Sequence, residues 1–150
     1  MKATLKQLLM QSPASYVERA NCFNAVQLFW KDSTVQEFVG AEDFIEYIEK
    51  SFYQIPLDIP LLAGDVSIVW SRNSLDLPHG QIDVNQLVKK QPGYPFGLII
   101  EHAYCHLEDG RVFQKPNPNL TGFYEVIAED KALAPYTQLQ GYEVTRHRRF

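Results

Sequence analysis

The chain has 150 residues, with 14 Lys+Arg against 18 Asp+Glu, 45% hydrophobic residues and 21% charged residues. These figures fit one globular domain spanning 1–150 with a full core, and they exclude disordered, collagen-like and low-complexity classes. The formal net charge of -4 argues against a nucleic-acid partner, and no apolar run approaches the ~20 residues of a bilayer-spanning helix, so no integral membrane segment is expected.

In chain order, residues 3–10 read as a short helix. Lys6, Gln7 and Gln11 interrupt its apolar run, so it does not read as a secretory signal, and localisation stays open between the cytoplasm and export by another route. Ser12-Pro13 breaks the pattern. Cys22, Ala25, Val26 and Phe29 then fall at i, i+3, i+4 and i+7, a helical stripe with Asn21 as its N-cap and Cys22 in the first turn. A second helix is expected over 41–52, with Phe44, Ile45, Ile48 and Phe52 buried and Glu42 and Asp43 favouring its N-terminus.

Past Pro56 and Pro60, residues 64–70 read as a strand entered from a turn. Residues 71–97 carry repeated Pro and Gly and read as an excursion, with a short helix near 83–90. Leu98–Leu107 and Arg111–Lys115 are the next strands, residues 125–128 a strand or short helix, and Gly141–Arg148 a final strand with Tyr142, Val144 and Arg146 on one side. Helices followed by a largely antiparallel sheet make an α+β fold.

The turn Leu107-Glu108-Asp109-Gly110-Arg111 decides which side chains share a face. A two-residue Asp-Gly loop would mix Gln114 with Ala103 and Cys105. A three-residue loop with Gly110 left-handed opposes 107 to 111 and 104 to 114. His102, Tyr104, His106, Val112 and Gln114 then share one face, and Ala103, Cys105, Leu107 and Phe113 form a clean apolar surface on the other. The three-residue loop is the expectation.

This sorts the two cysteines. Cys105 falls on the apolar face as an inert buried thiol. Cys22, at a helix N-terminus, is either a small buried hydrophobe or a thiol whose thiolate is favoured by free N–H groups, the helix dipole and a nearby imidazole. His102 offers that imidazole, and Gln114, its diagonal neighbour, would fix the tautomer. His106, nearer the turn, reads as an exposed histidine, and the basic tail Arg146-His147-Arg148-Arg149 as a solvated one. No Cys/His cluster has the spacing of a metal site, so no metal and no cofactor are expected.

At these residues the chain resembles the NlpC/P60 group of papain-like cysteine peptidases and amidases. Asn21-Cys22-Phe23-Asn24-Ala25-Val26 resembles the family's cysteine-bearing helix start, Gly64-Asp65-Val66 the opening of its first strand, and His102 through Gln114 its histidine strand, turn and third-residue strand. The resemblance implies a papain-like core and a Cys22-His102-Gln114 triad, with Tyr16 and Tyr104 as substrate-lining candidates. It also implies a thiol hydrolase acting on a peptide or peptidoglycan-fragment substrate. Phe23-Asn24 after the cysteine, and Gln at the third position, depart from the family pattern. They motivate the alternatives: an inactive relative or binding module of the same fold, or a thiol acyltransferase or lipid-acting enzyme.

Overall fold

The computed structural model describes residues 4–10, 20–72, 98–116 and 123–150. Tyr16, the short helix expected near 83–90 and nearly all of the excursion lie outside the described residues. The elements are α1 (Leu5–Met10), α2 (Cys22–Phe29), α3 (Ala41–Ser51), β1 (Phe52–Ile55), β2 (Val66–Arg72), β3 (Leu98–His106), β4 (Arg111–Gln114), β5 (Glu125–Ala128), α4 (Glu129–Leu133) and β6 (Glu143–Arg149). The strands form one sheet in the order β1-β6-β2-β3-β4-β5, each pair antiparallel. The fold is therefore α+β: a few helices and a six-stranded antiparallel sheet.

Each face of the sheet has its own packing. Helices α1 to α3 cover one, where Cys22, Phe29, Phe44 and Ile48 meet Val66, Ile68, Ala103, Cys105 and Phe113. On the other, Ala132 of α4 and Tyr136 close over Val69, Tyr104 and Val112. Strand alternation produces this division, so one hairpin contributes to both layers.

The β3–β4 turn is the three-residue loop. Cys105 pairs with Phe113 and His106 with Val112, the Leu107 amide donates to Arg111 O at 2.9 Å, and Gly110 sits at φ 85°. Glycine takes that left-handed conformation without steric cost. The β2–β3 register contains a bulge: Val69 faces His102 but Trp70 faces Ile100, so Glu101 is the extra residue on β3. Ile100 and Ala103, three apart, consequently lie on the same helix-covered face.

Two expectations change. Phe52 is buried, yet it ends α3 and begins β1, because Phe52 to Ile55 pair with Arg149 to Arg146 of β6. The basic tail lies in the final strand, as expected of Gly141–Arg148, but it is packed and paired rather than solvated. Arg148 bonds both carboxylate oxygens of Asp65, Arg149 pairs with Asp32, and His147 is buried against Thr145 Oγ1 at 2.8 Å.

Candidate active site

Asn21 caps α2 as its position predicts, with Oδ1 accepting from the Asn24 amide at 3.2 Å. The same side chain spans to Val39, accepting from its amide and donating to its carbonyl at 2.8 Å. Asn24 repeats the device one turn on, donating to Val35 O at 3.0 Å and accepting from the Glu37 amide at 3.2 Å. Phe23 stacks on Phe44 of α3, ring centroids 4.5 Å apart. The residues that depart from the family pattern thus hold the 33–40 loop and α3 against α2.

The capped first turn sets Cys22 against the sheet. The backbone amides of Ala103, Phe23 and Cys22 itself hydrogen-bond the sulfur and, with Lys115 nearby, favour the thiolate. Burial outweighs them and pushes the thiol up to about 12. The depression expected from the helix N-terminus is therefore not the net effect: removing a thiolate from water costs more than a few amide dipoles return. Cys105 is buried too, and burial raises its thiol well above the ordinary range.

His102 is 1% exposed. Its Nε2 lies 2.7 Å from Gln114 Oε1, and the Gln114 amide nitrogen donates to Glu125 Oε1 at 2.8 Å. The Tyr136 ring stacks on the imidazole, centroids 5.2 Å apart and 18° between planes, and covers the bonded pair. Burial lowers the His102 pKa to about 4, with the Gln114 bond opposing it. Its Nδ1 is buried with no hydrogen-bond partner among the described residues. Buried polar atoms are nearly always paired, so an orphan of this kind calls for a reason. A cavity of about 160 Å³ opens beside the pair, lined by His102, Gln114, Glu125, Lys131 and Tyr136 among others.

The structure joins His102 to Gln114 directly but does not bring Cys22 to them: the sulfur lies against the Ala103 amide in the helix-covered core, while the His102 side chain leaves the opposite face of β3 toward Tyr136. Tyr104 stands beside His102, rings 5.9 Å apart, with its hydroxyl donating to Glu129 at 2.7 Å. His106 is not exposed as expected. It is 3% exposed, its Nε2 lies 2.7 Å from Ser67 Oγ, and Glu129 lies 3.7 Å away, because β2 and α4 cover that end of β3.

Two residues near the site are absent from the sequence-based candidates. Lys115 is 0% exposed and close enough to Cys22 for their charges to interact. Extending the hairpin register by one residue past Gln114 puts it on the apolar face, where a lysine is conspicuous. Glu125 carries no local signal beyond its place in a short strand. Its contact with Gln114 depends on the β4–β5 register, which pairs the two directly. Among the described residues, no group of three or more His, Cys, Asp or Glu is arranged to hold a metal ion, and no helix is long and apolar enough to cross a membrane.

No family model, curated protein or solved structure gives a significant match to this chain.

Proposed function

We propose that this chain is a cysteine-dependent amidase or peptidase of NlpC/P60-like type, with Cys22 as nucleophile, His102 as general base and acid, and Gln114 as orienter. Its substrate class is a peptide amide of the kind found in peptidoglycan stems. The observation that carries this reading is the buried, unpartnered Nδ1 of His102, on a ring whose Nε2 is held by Gln114. A histidine required only for packing has no use for a desolvated, unmatched nitrogen.

With the thiol raised and the imidazole lowered, both groups are uncharged near neutral pH. Because Cys22 and His102 lie on opposite sides of β3, attack in this reading requires the start of α2 and β3 to shift until the thiol reaches Nδ1; as sulfur bonds the carbonyl carbon, the thiol proton then passes to Nδ1 and the carbonyl π pair moves onto oxygen. The Cys22 and Phe23 amides, aimed at the sulfur in the resting site, are the donors for that oxyanion, since the Asn24 amide is taken by Asn21 Oδ1. Collapse breaks the C–N bond, and the amine leaves with the proton from Nδ1. Water, deprotonated by Nδ1, then cleaves the thioester and restores the thiol.

On peptidoglycan stem peptides, Cys22→Ala is expected to abolish turnover, and wild type is expected to show an acyl adduct on Cys22 by mass spectrometry. Equal turnover of variant and wild type would end the proposal. The raised thiol and its separation from the His102 ring by the sheet favour a second reading, an inactive relative or binding module of this fold. Its signature is retained stem-peptide binding with neither turnover nor adduct.

A further inference from the structure

The geometry points to Glu125 as the positioning residue that sets the His102 tautomer, acting through Gln114. A glutamine amide presents either oxygen or nitrogen to a neighbour, and the two orientations differ little in shape. Alone, Gln114 could accept from His102 Nε2–H or donate to a bare Nε2, and these choices require opposite tautomers. Glu125 removes the ambiguity. Its Oε1 lies 2.8 Å from Gln114 Nε2, and a carboxylate only accepts, so the amide nitrogen must point toward it. Gln114 Oε1 is then turned to His102, 2.7 Å from Nε2, and only Nε2–H satisfies that contact. The neutral ring therefore carries its proton on Nε2 and a lone pair on Nδ1, the atom left unpartnered in the interior.

The lock is built into the sheet rather than into a loop. Gln114 and Glu125 are directly paired on antiparallel strands β4 and β5, so their side chains leave the same face side by side. Tyr136 stacks over the imidazole and limits its rotation. The catalytic meaning of the lock rests on the reading of His102 as the base toward Cys22. The lock itself does not, and it can be measured without a substrate.

The experiment is nitrogen-15 NMR of the histidine rings, above the His102 titration, in wild type, Glu125→Gln and Glu125→Lys. Circular dichroism and thermal melting establish that each variant is folded. Wild type should show a protonated, pyrrole-type Nε2 and a bare, pyridine-type Nδ1 on His102. The ammonium introduced by E125K can only donate, so it should turn the Gln114 oxygen toward itself, present the amide nitrogen to the ring and move the proton to Nδ1. The amide introduced by E125Q can donate or accept, so that variant should populate both tautomers, which keeps the test decisive if E125K fails to fold. A wild-type ring protonated on Nδ1, or an Nε2–H tautomer unchanged in the folded variants, overturns the assignment. A locked tautomer in a protein that turns over no stem peptide overturns the amidase reading and leaves the lock standing.

Discussion

The two faces of the β3–β4 hairpin are equally buried and are stabilised in different ways. On the helix side, Ala103, Cys105 and Phe113 pack beneath α2, and the Phe113 ring meets Phe29 and Tyr124 at 5.7 and 5.8 Å. Nothing there depends on a particular partner atom, and stability follows the apolar area and volume filled. On the other side, His102, Tyr104, His106 and Gln114 are each buried and bonded one to one, with Gln114, Glu129, Ser67 and Glu125 as the matching groups. That face is specified by donor and acceptor identity, so protonation or a single lost atom disturbs it. The contrast locates the chemistry. Two strands hold an imidazole in a fixed orientation on one side while the other side seats the thiol-bearing helix, so the sheet itself stands between the His102 ring and the Cys22 sulfur.

The largest expected effect comes from breaking the apolar face. Phe113→Ala should cost about 3–5 kcal/mol of unfolding free energy, read from denaturant melts, because it removes buried aromatic area and leaves a cavity. A loss below about 1 kcal/mol would mean that this face collapses freely and is not a packed core.

Acid should act on the polar face. Burial lowers the His102 pKa from 6.5 to about 4 and that of His147 from 6.5 to about 3. The unfolded chain therefore binds protons that the folded chain refuses. The stability from keeping these rings neutral is fully present above pH 6.5 and drains as pH falls through the folded values, a loss of a few kcal/mol. Thermal melts between about pH 7 and 4 should show the decline, with a shallower slope in His147→Gln. An unchanged melting temperature across that window would show that the rings are not held neutral.

The smallest effect sharpens the contrast. Tyr104→Phe keeps the ring and removes the hydroxyl that donates to Glu129 at 2.7 Å, and should cost about 1 kcal/mol, since Arg146 also lies 3.6 Å from that carboxylate. A cost comparable to that of Phe113→Ala would mean that the polar face is a cooperative network and not a set of separate bonds.

The parts of the site legible in the sequence are those governed by local rules. Asn21 before an apolar stripe marks a capped helix start, and Asp109-Gly110 together with strand parity is enough to place Gln114 beside His102. Strand β1 was hidden because Phe52 continues the helical stripe of α3, and its extended state comes from pairing with β6 at the far end of the chain. The burial of His106 and the state of the Cys22 thiol were hidden for a related reason. Both depend on how completely neighbouring elements exclude water, and a helix N-terminus only tilts that balance.

The α+β class, the capped helix that carries Cys22 and the hairpin register are written locally, because caps, turns and alternation act over a few residues. The sheet order, the desolvation that keeps thiol and imidazole neutral, and the pairing of Glu125 with Gln114 emerge on folding. Those properties arise from segments distant in the chain displacing water from one another, and no local spacing encodes them.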